Sequence, residues 1–180
     1  MPAIEIRPAI PTDIPVLAKM DHNYTSDHAW QMDLDVEQRE IEVRFRVVQL
    51  PRSVRMEYPR PPKALVEDWK NRSGVLVALL DGKPVGYISL MQNISPLTSW
   101  VTDLVVAPNL RRQGIGSALL LAAQEWAAGQ PDSRRLVMEI QPKNHAAVRL
   151  AQKLGFDFCG YDDHHFSNQD FALFFAKWVG

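Results

Sequence analysis

Residues 103–116 read DLVVAPNLRRQGIG. An apolar run headed by one acid, Asp103, ends at Pro108; two arginines, Arg111 and Arg112, then precede two glycines set one residue apart, Gly114 and Gly116. Beyond them Leu119, Ala122, Ala123, Trp126 and Ala127 recur at helical spacing, so the stretch reads as a strand, a glycine turn, and a helix over 115–128 packed on the strand's sheet. Such a turn leaves the first N–H groups of the helix without partners, and with the positive end of the helix dipole they make a site for phosphate. Gly114 and Gly116 let a pyrophosphate approach the backbone, and the arginines add charge-assisted hydrogen bonds. A surface loop with solvated arginines is the plainer alternative. The P-loop pattern is absent. The dinucleotide fingerprint also fails, because Leu119 stands where it needs a small residue and 108–113 separate the glycines from the strand.

Upstream, GVLVALL from Gly74 runs into Asp81-Gly82, a strong hairpin turn, and PVGYISLM returns as the next strand. Downstream, RLVMEI is a strand, Asn144 to Lys153 a helix ended by Gly155, and FDFCGY and DFALFFAKWV are closing strands. Before residue 70, Ile4 and Ile6 alternate with Glu5 and Arg7 as a first strand, and Thr12 caps a helix that starts at Asp13. IEVRFRVV alternates with period two, a half-buried antiparallel strand, whereas four prolines between 51 and 62 read as a loop before a short helix through Trp69. The chain is thus expected to be one α/β domain with a mixed, mostly antiparallel sheet of about six or seven strands and helices on both faces.

Composition bounds the partners. The 180 residues are 46% hydrophobic and 23% charged with a formal net charge of −1, which offers no basic excess for nucleic acid. One cysteine, Cys159, cannot form an internal disulfide and reads as a small core residue. The first ten residues contain acid and base with no signal-like apolar core, and no apolar run nears the roughly 20 residues of a membrane span. A cytoplasmic protein without a membrane or nucleic-acid partner is expected.

R-x-x-G-x-G at Arg111–Gly116, preceded by Asp103 to Pro108, is followed about 30 residues later by Asn144-His145-Ala146-Ala147, Leu150 and Lys153-Leu154-Gly155-Phe156. In this pairing the chain resembles the GNAT (Gcn5-related) N-acetyltransferases. The two motifs cover about 100–156, and the strand order extends the likeness from about 74 to the C-terminus, leaving 1–73 as the acceptor-side part. The resemblance implies that Leu104, Val105 and Val106 bind the pantetheine arm of acetyl-CoA like an added strand. It further implies that Arg111, Arg112, Gln113, Gly114, Ile115, Gly116 and Ser117 hold the pyrophosphate. Asn144 would meet the pantetheine, Ala147 and Leu150 line the groove, and Lys153 close the cofactor motif. The acetyl group would pass directly to a primary amine, with a strand N–H near Leu104 stabilising the oxyanion.

The family often has a tyrosine after that leucine to protonate the departing sulfur; here it is Ala151, and Tyr161, the nearest tyrosine in sequence, is the catalytic candidate in its place. Asp103 stands where the family often places an acid beside the acetyl group, as a general base or as a structural partner. Two acidic segments, Asp21-His22-Asn23-Tyr24 to Asp27-His28 and Asp162-Asp163-His164-His165, would wall the acceptor side and suit a cationic amine. No metal is expected there, since His164 and His165 point to opposite faces of a strand. Trp30, Trp100 and Trp178 read as core or as contacts of a homodimer. The runner-up reading is a non-catalytic module that binds or senses acyl-CoA.

Overall fold

The computed structural model describes residues 3–180. A seven-stranded sheet has the order β1 (Ile4–Pro8), β4 (Gly74–Leu80), β5 (Lys83–Gln92), β6 (Thr98–Val106), β7 (Arg135–Ile140), β9 (Ala172–Trp178), β8 (Asp157–Asp162). All neighbours are antiparallel except β6 and β7. The expected mixed, mostly antiparallel sheet is present.

Helices cover both faces. On one, α3 (Ile115–Ala128) and α4 (His145–Lys153) bury Ile115, Leu119, Leu120, Ala123, Val148 and Ala151 against Ile88, Val101, Leu136 and Met138. On the other, α1 (Asp13–Lys19) and α2 (Pro62–Asp68) set Ile14, Leu17 and Leu65 on Val75, Val77, Tyr87 and Val105. The β4–β5 turn carries the positive φ angles its sequence demands, 50° at Asp81 and 76° at Gly82.

In the first third β1, the helix from Asp13, an antiparallel strand over 41–48 and the short helix before Trp69 are as expected, but their setting is not. Residues 24–56 form a separate two-stranded ribbon, β2 (Tyr24–Val36) and β3 (Ile41–Met56). Pro51 does not end β3, because the register shifts between the pairs His28–Gln49 and Ser26–Val54. The proline sits in that irregularity, where its missing N–H removes no ladder bond. Trp30 and Phe45 anchor the ribbon on the α3/α4 face, Phe45 against Phe158, Tyr161 and Phe171, while Ile41 is 68% exposed near the tip. Thr12 caps nothing; instead the Asp13 carboxylate accepts from the Ile10 N–H and from Arg7. Cys159 is exposed rather than core because it lies on the edge strand β8, and Trp178 is 74% exposed at the C-terminal end of β9, beyond the residues that β8 pairs.

Candidate active site

At the strand-to-helix junction, Arg112 and Gly114 adopt left-handed φ angles of 65° and 87°. The first bond of α3 runs from the Ala118 N–H to the Gly114 carbonyl at 3.0 Å. The N–H groups of Ile115, Gly116 and Ser117 therefore have no partner within the helix and point out of its N-terminus. Arg112, Gln113 and Gly114 are exposed, whereas the Ile115 side chain is in the core. The arrangement is a concave set of donors beside an exposed cation, suited to a pyrophosphate.

A Cβ at Gly116 would meet Leu150 Cδ2 at 3.6 Å and Val106 Cγ2 at 4.0 Å, ordinary contacts. Gly116→Ala is expected to fold with unchanged or slightly raised stability, since alanine favours a helix by roughly 0.5–1 kcal/mol. Any loss of acetyl-CoA affinity in a calorimetric titration then reads the close approach of the ligand to the backbone. An unchanged affinity would remove Gly116 from the contact.

The second half of the site lies where two strands part. β6 and β7 are paired from Thr98–Arg135 to Val101–Met138 and no further, although β6 continues to Val106. A register shift between β5 and β6 at Ser89/Leu90 changes the facing of β6, so that Val101 packs under α3 and α4 while Val105 packs under α1 and α2. Beyond the last pair, β6 has no strand partner toward β7 over Leu104–Val106, a place for an extended pantetheine arm, although the Val106 carbonyl already accepts from Arg111 Nε. Leu150 and Gly116 border it beside Val106.

Arg60 bridges the two strands at the point of separation. Its Nη1 donates to the Thr102 carbonyl and lies 3.4 Å from Asp103 Oδ1, and its Nη2 donates to Glu139 Oε1 at 2.5 Å. Asp103 also accepts from Tyr58 Oη at 2.5 Å and from Arg72 Nη1 at 2.8 Å. Arg72 reaches Ser89 Oγ and Asp68 as well. From Glu139 the chain of groups continues through His165 Nε2 at 3.2 Å, and from His165 Nδ1 to Asp162 Oδ2 at 2.9 Å. Desolvation alone would lower the Arg60 guanidinium, yet Asp103 and Glu139 hold it above its ordinary value. Burial, with Asp103 alongside, pushes the Tyr58 phenol well up, so it stays a donor at neutral pH.

The residues expected to act divide on this geometry. Asp103 is on the anticipated strand, but it is 3% exposed with both oxygens engaged by Arg72, Tyr58 and Arg60, so it anchors an ion network instead of facing an open cleft. Tyr161 is on β8, three strands from β6, roughly 14 Å away at about 4.8 Å per strand, with its ring against Phe45. Ala151, where the family often has its tyrosine, is itself fully buried in the core. Arg111 turns from the phosphate turn to donate to the carbonyls of Val106, Asn23 and Asp21, at 2.9, 2.9 and 3.1 Å. Asn144 caps α4 through the Ala147 N–H at 3.2 Å, which commits its Oδ1 and leaves its amide nitrogen to donate. Lys153 is exposed at the far end of α4, roughly 13 Å from Asn144 at about 1.5 Å per residue.

Arg60, Tyr58, Arg72 and Glu139 were not singled out from sequence. The one available signal was Glu139, the lone acid inside the strand RLVMEI, since a carboxylate buried there needs partners. Tyr24 belongs to the first of the expected acceptor-side segments. Its hydroxyl donates to Gln141 just past β7 at 2.6 Å, and burial raises its pKa.

Comparison with known proteins agrees with this geometry. The chain matches the acetyltransferase (GNAT) family over residues 40–156. It is 25% identical over 166 residues to a streptothricin acetyltransferase of Streptomyces lavendulae, covering 88% of this chain and 84% of the relative. In fold it is similar to a nourseothricin acetyltransferase (TM-score 0.79, 22% identity, 99% of each chain). It is also similar to a putative streptothricin acetyltransferase of Bacillus anthracis solved with acetyl coenzyme A (TM-score 0.75, 21% identity, 98% of this chain and 99% of that one). The phosphate turn, the unpaired strand edge and the family match converge: this chain belongs to the GNAT acetyltransferases and is an N-acetyltransferase that binds acetyl-CoA.

Proposed function

We propose that the acceptor is a cationic primary amine of a small molecule, and that Glu139 takes its proton. The observation that carries this reading is the position of Glu139. It is the first β7 residue beyond the last β6–β7 pair, its side chain is 10% exposed, and Arg60 and His165 hold its two oxygens. A lysine-like amine has a pKa of about 10.4 and arrives protonated. Acetyl-CoA, bound along Leu104–Val106 and the turn at 112–117, supplies the activated acetyl group. Arg60 lowers the proton affinity of a neighbouring amine while Glu139 accepts, and Asp103, through Arg72 and Tyr58, fixes Arg60 in place.

Acidic side chains in the two acceptor-side segments suit a cation, Asp27 near the start of the ribbon and Asp162, Asp163 and Asp170 beside β8 and β9, whereas Asp21 is paired with Arg55. In this reading residues 1–73 form most of the acceptor side and 74–180 the donor side. The enzyme works in the cytoplasm with its donor, and a homodimer covers exposed ribbon residues such as Val36 and Ile41. The near full-length likeness to streptothricin acetyltransferase supports a small-molecule acceptor such as streptothricin over a peptide terminus.

The test is release of CoA thiol from acetyl-CoA across streptothricin, polyamines, amino acids and peptides. Fastest release with streptothricin, by kcat/KM, is expected. A peptide amine outrunning every small cation would overturn the acceptor assignment.

A further inference from the structure

Each turnover that starts from an ammonium leaves a proton to be removed. Acetyl-CoA and R–NH3+ give R–NH–acetyl, CoA thiol and one H+: an N–C bond forms, the C–S bond breaks, and one of the two amine protons lost ends on sulfur. The other must reach solvent. Neither carboxylate at the site is placed to release it directly, because the side chains of Asp103 and Glu139 are 2% and 10% exposed.

The geometry points to a proton exit from Glu139 through His165 to Asp162. This inference rests on Glu139 as the acceptor of the amine proton. His165 lies between the two carboxylates, Nε2 at 3.2 Å from Glu139 Oε2 and Nδ1 at 2.9 Å from Asp162 Oδ2. Exposure rises along the path, from 10% at Glu139 through 26% at His165 to 59% at Asp162. In the tautomer that keeps Nδ1–H on Asp162, the Nε2 lone pair faces Glu139. A proton arriving on Glu139 passes to Nε2, the Nδ1 proton leaves by way of Asp162 to water, and the tautomer resets by exchange with solvent.

The ring is held for this by edge contacts with Phe166 and Phe174, at centroid distances of 4.9 and 5.7 Å. The charged and titratable groups around it are Glu139 of β7, Asp162 at the end of β8, and Asp163 and His164 of its own turn. Arg60 lies one link further, behind Glu139. His165 acts through Glu139 and not on the substrate, so the test needs a readout that a packing role would leave unmoved.

Thiol release is measured at pH 7 for His165→Ala, Asp162→Asn and Glu139→Gln, with and without added imidazole, alongside acetyl-CoA affinity by calorimetry. For His165→Ala a kcat lower by up to about 100-fold, the lower end of acid–base contributions, is expected with affinity kept. Imidazole should restore much of it and also make the rate depend on its concentration. Asp162→Asn should lose severalfold. A His165→Ala rate within twofold of wild type, or a loss that imidazole leaves unchanged, overturns the exit path. The reading of Glu139 is separate: Glu139→Gln should lose activity that imidazole does not restore, and near-normal turnover there would remove Glu139 whatever His165 does.

Discussion

Glu139→Gln is expected to bind acetyl-CoA normally and to turn over about 10²–10⁴-fold more slowly, the range acid–base help covers. Glutamine keeps the size of the side chain and an oxygen able to accept from Arg60 Nη2, the 2.5 Å bond that spans the parting strands. It removes the negative charge and with it the capacity to take a proton at that point. Arg60 keeps Asp103 as a counter-charge, so the substitution does not leave an isolated buried cation. Steady-state thiol release and calorimetry on the same preparation check both halves. A kcat within tenfold of wild type would show that the amine loses its proton elsewhere.

Arg72→Met is expected to lower stability by about 3–5 kcal/mol, the cost of removing one partner from a buried ion pair. The Arg72 side chain is 7% exposed and that of Asp103 2%, and their 2.8 Å contact sits beneath α2 with Ser89 and Asp68 as further partners. Without the guanidinium, Asp103 Oδ2 loses its only donor in the network while Oδ1 keeps Tyr58 and Arg60. The denaturant midpoint measures the loss. Asp103→Leu on the Arg72→Met background should recover part of it, because an apolar pair in place of a buried ion pair is often neutral or better. A single-variant loss below about 1 kcal/mol would mean that water reaches Asp103 and that the pair is solvated.

The donor half of the site was legible because its information is local. The turn at 111–117 and the helix cap at 144 occupy short, contiguous stretches, and α3 follows from the spacing of Leu119, Ala123 and Ala127. The Asp81-Gly82 hairpin is equally local. The acceptor half is assembled at long range: Arg60 meets Glu139 across 79 positions, Tyr58 meets Asp103 across 45, and Arg72 meets Asp103 across 31. No periodicity or spacing encodes such meetings. The ribbon was missed for a related reason, since Pro51 argues against a strand on local grounds. What holds the ribbon is distant, the Trp30 N–H on the Pro142 carbonyl at 2.8 Å and Phe45 against β8 and the start of β9.

Arg111 gives the two halves a common hinge. One guanidinium ties the carbonyl of Val106, at the end of β6 beyond its last pair with β7, to those of Asp21 and Asn23, which lead into Tyr24 on the acceptor side. A shift of the strand end would be carried through this guanidinium to residues 21–24. Thermodynamic linkage makes such an effect reciprocal: the factor by which donor changes acceptor affinity is the factor by which acceptor changes donor affinity. A bridge of this kind predicts coupled donor and acceptor affinities, which titration of each ligand in the presence of the other measures.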